Sequence, residues 1–327
     1  MNIKKIAASV MATALMASAL CSCGGGNADS GKKTIVTTIF PEYDWVMNIL
    51  GDKAEQFDVV LLMDTGTDLH SYQPSVSDLA VISECDLFIY VGGESDAWAE
   101  DAVAQAVNKD IQVLDLLSVL GSEALEEELV EGMEGEEECE SEEEEEEGPE
   151  YDEHVWLSLR NASVLCEAIC GEIDTLDPDN KAVYDANLSS YQEKLSDLDS
   201  RYSEVVASAS FDTLLFGDRF PFRYMIEDYD LNYYAAFLGC SAESEASFET
   251  VVFLAGKVDE LGLRSIITIE GNVADIAEAI RENTSSKDQE ILTLNSMQSV
   301  TASDIEAGAD YLKIMEDNLT VLEEALN

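Results

Sequence analysis

The sequence predicts an α/β protein of two lobes, each a parallel sheet covered by helices. Strand and helix patterns alternate in two separate stretches, and that order is the mark of parallel sheets wrapped by helices. The chain's 327 residues also exceed what one hydrophobic core normally organises. In the first stretch, Thr34 to Phe40 is β-branched and apolar and reads as a buried strand that Pro41 stops. Tyr43 to Leu50 carries apolar residues at helical spacing, and Val59 to Met63 reads as a second strand. That strand runs into a polar turn, DTGTDLHSYQPS. Ser77 to Ser83 reads as a short helix and Leu87 to Val91 as a third strand, followed by a further strand-like run, Leu114 to Leu120. Asn161 to Leu176 is a helix ending near Asp177-Pro178. From Asp179 a helical pattern with Val183, Leu188, Tyr191, Leu195, Leu198, Tyr202 and Val205 runs about 25 residues without Gly or Pro, roughly 37 Å.

The alternation then resumes. Leu214 to Phe216, Tyr233 to Phe237, Ser265 to Ile269 and Glu290 to Leu294 read as strands. Phe222 to Tyr229, Phe248 to Leu261 and Val273 to Asn283 read as helices, and Ala302 to Leu326 as one long closing helix. Ligands of such sheets collect beyond the carboxyl ends of the strands. His70, in the loop leaving the second strand, lies in that place.

The N-terminus reads as an export leader. Residues 1–23 combine Lys4 and Lys5, an apolar run from Ile6 to Leu20 and small residues, a secretory signal whose apolar run is too short to span a bilayer. Leu20-Cys21-Ser22-Cys23 fits a lipoprotein cleavage pattern with Cys23 as the acylated residue; Cys21, with Leu20 directly before it, fits less well. Residues 24–33 form a flexible tether. The expected divisions are an N-terminal lobe at 34–178, a helix at 179–208 and a C-terminal lobe at 209–327.

Lys and Arg number 17 against 69 Asp and Glu, a net charge of −52. Such a balance disfavours nucleic acid and anionic membrane surfaces as partners and suits an exported protein with a cationic ligand. Much of the charge falls in a loop at about 123–150, which contains the run Glu142 to Glu147 and is expected to be disordered. Its carboxylates favour hard cations over zinc. There are seven cysteines. Their spacings match no zinc-finger pattern, Cys166 and Cys170 read as packing residues of a helix, and no disulfide is assigned. Neither G-x-S-x-G nor H-E-x-x-H occurs, and no nucleophile–base pair is identifiable, so an enzyme is not expected.

Four segments carry a family resemblance: TIFPEYDW (38–45), GTDLHSYQPSVSDL (66–79), CDLFIYVGGESDAW (85–98) and DEHVWLSLRNA (152–162). In this order they resemble the zinc/manganese solute-binding proteins of ABC importers, over about Thr34 to Leu326. The resemblance implies a rigid long helix joining the lobes and a lipid-anchored monomer on the outer face of the cell membrane. It also implies that a divalent metal, zinc with manganese as the alternative, is captured between the lobes and passed to an ABC permease. Both histidines of the chain, His70 and His154, fall at the family's ligand motifs, and imidazole suits zinc better than manganese. Asp68, Asp152 and Glu153 are near enough in sequence to accept hydrogen bonds from the imidazoles.

In the second lobe the chain departs from the family. At the third ligand position ungapped alignment places Arg219, which has no lone pair to offer a metal, while a one-residue shift offers Asp218. At the fourth, NSMQSVTASD supplies Asn295, Gln298 and Ser299, poor substitutes, and Asp304 belongs to the next helix. Glu270, at a strand end, is a further carboxylate candidate. Three arrangements stay open: a shell of His70, His154, Asp218 and Glu270; the two histidines with water; or Arg219 occupying the metal position. The competing function is a surface adhesin or structural lipoprotein with a degenerate site on the same scaffold.

Overall fold

The computed structural model describes residues 31–134, 150–241, 245–271 and 274–327. The leader with Cys23, most of the tether, Cys139 and the run Glu142 to Glu147 lie outside the described residues.

The first lobe contains β1 (Lys33–Thr37), α1 (Phe40–Leu50), β2 (Phe57–Leu61), α2 (Val76–Glu84), β3 (Leu87–Tyr90), α3 (Trp98–Ala104), β4 (Gln112–Asp115), α4 (Leu116–Leu120) and α5 (Leu159–Leu176). Its sheet has the order β2-β1-β3-β4, with every pairing parallel. The long helix α6 (Lys181–Ser208) follows. The second lobe holds β5 (Thr213–Phe220), α7 (Arg223–Tyr229), β6 (Asn232–Leu238), α8 (Phe248–Leu261), β7 (Ser265–Ile269), α9 (Asp275–Asn283), β8 (Glu290–Leu294), α10 (Ala302–Glu306) and α11 (Tyr311–Ala325). Its sheet repeats the arrangement as β6-β5-β7-β8, again parallel. Of the central strands, β3 and β7 are buried along their whole length. They therefore read as continuous apolar runs rather than alternating ones.

Three expectations are corrected. Phe40 opens α1 instead of ending β1, because the Glu42 carboxylate accepts from the backbone N–H of Thr38 (2.8 Å) and Ile39 (3.3 Å) and so starts the helix early. The run Leu114 to Leu120 is a strand end followed by a helix: Asp115 closes β4 and its carboxylate accepts from the Ser118 N–H at 2.9 Å, capping α4. The closing helix is two helices. Gly308 sits at φ +95 between them, and the Asp310 side chain caps the second by accepting from the Lys313 N–H.

The acidic loop is ordered as far as Glu134, contrary to the disorder expected from residue 123. Leu125 and Val130 pack against the core and Met133 is buried, which offsets the chain entropy of ordering the segment. Arg223 pairs with Glu128 at 3.2 Å, the Glu134 N–H donates to the Ala236 carbonyl at 2.9 Å, and Glu126 bridges Tyr151. The segment thus straps the free edge of β6 and returns the chain to Asp152.

One apolar core runs through both lobes by way of α6, and a smaller one lies between the second sheet, α8 and α9. Helix α6 has 28 residues, about 42 Å at 1.5 Å per residue. Its buried stripe is Tyr184, Leu188, Tyr191, Leu195, Leu198 and Tyr202, alternating steps of four and three. Asn187 donates to the Ile49 carbonyl of α1 at 2.9 Å, and the Tyr202 hydroxyl donates to the Met315 carbonyl of α11 at 2.6 Å. The helix is thereby fastened to both lobes, as a rigid joint requires.

Candidate metal centre

His70 stands on a turn (Leu69–Ser71) beyond β2, begun by Asp68, whose Oδ1 accepts from the His70 N–H at 3.0 Å. His154 stands at the return of the acidic strap. There Asp152 Oδ1 accepts from both the His154 N–H (2.8 Å) and His154 Nδ1 (3.0 Å). The adjacent Glu153 reaches the other ring, with its Oε2 3.3 Å from His70 Nδ1. Ser95 Oγ is 2.9 Å from the same nitrogen, and the Ser95 N–H donates to Glu153 Oε1 at 2.8 Å. Gly93, at φ +79, lets the chain pass close to that carboxylate: a Cβ there would sit 2.3 Å from Glu153 Oε1.

Nδ1 of His154 thus meets the Asp152 carboxylate, and Nδ1 of His70 meets the Ser95 hydroxyl with the Glu153 carboxylate 3.3 Å away, surroundings that favour the proton on Nδ1 and leave Nε2 as an acceptor. The two Nε2 atoms are 3.0 Å apart. Two lone pairs turned toward one point, in nearly complete burial, make an arrangement that a cation relieves. Burial pushes the Glu153 carboxyl up, but hydrogen bonds from His70 and Ser95 outweigh it and hold the group below its usual range. Asp68 is likewise held low, burial being outweighed by the Arg219 guanidinium. Asp96, buried near Glu153, is instead pushed up to about 7 by burial and by that neighbouring charge.

The third group of the cluster is Cys240, which the sequence reading left without a role. Among the described residues, one ligand atom each from His70, His154 and Cys240 lie within 4.8 Å of one another. Cys240 follows β6 and Gly239. A Cβ on residue 239 would meet the Phe220 carbonyl at 2.7 Å and the His154 ring at 3.0 Å, so glycine is what lets this loop close on the imidazole. The Glu127 carboxylate of the strap accepts from the thiol, and burial with Asp152 and Glu127 pushes the thiol pKa far up.

Neither Asp218 nor Glu270 joins that cluster. Asp218 lies in β5 at a break in its register; its Oδ1 accepts from the Arg219 N–H at 2.9 Å and its Oδ2 from the Ile269 N–H at 3.2 Å. It completes the ladder toward β7, where the strand pairing is short. Glu270 accepts from the Ser296 N–H (2.6 Å), the Ser296 hydroxyl (2.8 Å) and the Gln298 N–H (3.2 Å), pinning the turn after β8. Asn295 exchanges hydrogen bonds with Asn318, and Asp304 caps α10 with Thr301. Arg219 bridges the lobes: one nitrogen donates to Asp68 Oδ2 at 2.6 Å and another to the Ser241 carbonyl at 3.3 Å. Its guanidinium ties the His70 turn to the Cys240 loop.

Two parallel-sheet lobes share a stiff helix, and two imidazoles and a thiol meet between them. The chain belongs to the family described as zinc-uptake complex component A, periplasmic (ZnuA), whose model matches residues 35–325. It is a family of zinc-uptake components and not an enzyme family. The zinc-binding lipoprotein AdcA of Streptococcus pneumoniae is 32% identical over 98% of this chain, and the chain spans 61% of that protein's length. The high-affinity zinc uptake system protein ZnuA of Bacillus subtilis is 30% identical over 94% of the chain and 93% of its own. The Zn(II)-bound ZnuA-like domain of S. pneumoniae AdcA superposes with a TM-score of 0.69, at 28% identity, covering 90% of this chain and 99% of that domain.

Proposed function

We propose that this chain is the extracytoplasmic solute-binding component of a zinc importer. It captures the ion between its lobes and delivers it to an ABC permease. The observation that carries this reading is the facing pair of Nε2 atoms of His70 and His154, each with a carboxylate oxygen within 3.3 Å of its Nδ1. Such a pair has no use in a scaffold whose cleft is vestigial, which weighs against the adhesin reading. The relatives named for zinc, and the nitrogen donors themselves, favour zinc over manganese. Export as a monomer anchored through acylated Cys23 belongs to the same reading; no helix among the described residues is long and apolar enough to cross a membrane.

Delivery requires that the ion can leave. Asp68, held by Arg219, and Glu153, held by Ser95, fix the histidines from behind, so release follows from moving their supports rather than the ligands alone. The reading is tested by growth on limiting zinc in a host that keeps its zinc ABC permease but lacks its own zinc-binding component. The wild type restores growth, and His70→Ala and His154→Ala do not. Equal rescue by both variants contradicts the assignment. Labelling with a fatty-acid analogue, lost in Cys23→Ala, tests the anchor.

A further inference from the structure

We infer that Cys240 is a third protein ligand of the captured ion, so that the cleft is a mixed imidazole–thiolate site. This rests on the reading of His70 and His154 given above and specifies what the second lobe adds to it. Neither carboxylate foreseen from the second lobe reaches the cluster. Among the described residues, Cys240 is the second-lobe side chain whose donor atom does, within 4.8 Å of those of both histidines. Tetrahedral zinc, with about 2.0–2.1 Å to nitrogen and 2.3 Å to sulfur, sets its ligand atoms about 3.3–3.6 Å apart. Closing the present spacing takes a shift of about an ångström, within the reach of one side-chain rotation.

Three features distinguish Cys240 from a cysteine that merely fills space. Cys85 and Cys166 are fully buried in the apolar core, whereas Cys240 is only partly covered. Its loop is shaped for the approach, since Gly239 alone admits the His154 ring. The same loop is held in place across the cleft by Arg219, which donates to the Ser241 carbonyl and to Asp68 beside His70. The residue at the family's third ligand position thus serves as the clamp that brings the substitute donor to the metal. A second grouping, Cys170, Asp174 and Asp185, shows the contrast: the Lys181 ammonium is hydrogen-bonded to both of its carboxylates and already supplies a cation there.

A thiolate with two imidazoles is a soft donor set that selects zinc against manganese, which prefers oxygen ligands. The test is cobalt(II) substitution of the full-length chain in detergent, read by absorption. The wild type shows a thiolate-to-cobalt charge-transfer band that is absent in Cys240→Ser and kept in Cys139→Ser. Cys240→Ser also weakens zinc at least about 100-fold, more than the loss of a supporting residue, and narrows the preference over manganese. Saturable cobalt binding without that band, or with the band intact in Cys240→Ser, overturns the inference while leaving the zinc-capture reading in place. No saturable binding of zinc or cobalt by the wild type overturns both. Should Cys240→Ser misfold, alkylation of the wild type followed by peptide mass analysis decides: zinc protects Cys240, and an unchanged labelling rate refutes its ligation.

Discussion

The two halves of the candidate metal centre are built on different principles. On the first lobe, Asp68 accepts from the His70 backbone N–H and Asp152 from the His154 ring, each two residues away, while Glu153, next to His154, also reaches the His70 ring. That half lies inside short motifs, which supply its local supports and meet through the contact of Glu153 with the His70 ring. On the second lobe nothing is local. Cys240 arrives on a strand-end loop whose position depends on Gly239 against His154 and on Arg219 reaching back to Asp68. The comparison shows that a binding half-site made from sequence neighbours survives as a recognisable motif. One made from tertiary contacts can exchange its donor without leaving a trace in any short segment.

Breaking the local half should have the largest effect. His70→Ala or His154→Ala removes a ligand and leaves a buried carboxylate without its donor, so zinc affinity falls at least about 100-fold. A competition assay against a chromogenic chelator measures it. Next comes the clamp. Arg219→Ala releases Asp68 and the Cys240 loop together, and affinity falls about 10-fold or more, while Arg219→Lys, which cannot form both contacts in the same geometry, recovers little of it. If Arg219→Ala binds zinc as tightly as the wild type, the second half-site does not depend on that bridge.

Gly239→Ala sharpens the comparison differently, because it leaves every donor in place. The added methyl presses on the Phe220 carbonyl and the His154 ring, an overpacking of about 1–3 kcal/mol. A melting temperature lowered by several degrees, read calorimetrically without metal, is the expected result. Acid tests the carboxylates of the local half. Asp68 and Glu153 have folded pKa values below their ordinary ones. Their contribution to stability is thus present above the unfolded values near about 4 and is lost as pH falls through the lower folded values. Asp68→Asn should therefore weaken stability at neutral pH more than below about pH 3. The smallest effect is expected in the acidic run. Replacing Glu142 to Glu147 by Gln changes zinc affinity in the cleft by less than about twofold in physiological salt, because exposed charges are screened there.

The fold was legible where local rules and tertiary packing agree. Helix α8 and strands β7 and β8 have the bounds that periodicity predicts, since Ser247 caps α8 and Gly262 ends it at φ +68. The histidine pair was legible because the chain has two histidines and both occur in motif segments. Cys240 was hidden by the habit of cysteine to act as a small apolar filler. The available signal was its position just beyond the carboxyl end of a strand in a parallel sheet, where ligands gather. The order of Glu123 to Glu134 was hidden for another reason: its stabilising partners, Arg223, Lys257 and the β6 edge, lie far along the chain. The link from Arg219 to Asp68, across 151 residues, had no sequence signal at all.

The central claim is that one tight zinc site is organised around the His70–His154 pair and is separate from the acidic run. Calorimetric titration of zinc into the wild-type chain and into His154→Ala tests it most directly. A single site tighter than about micromolar, roughly −8 kcal/mol, present in the wild type and gone in the variant, is the predicted result. The same saturable site in His154→Ala would contradict the account and place the ion elsewhere.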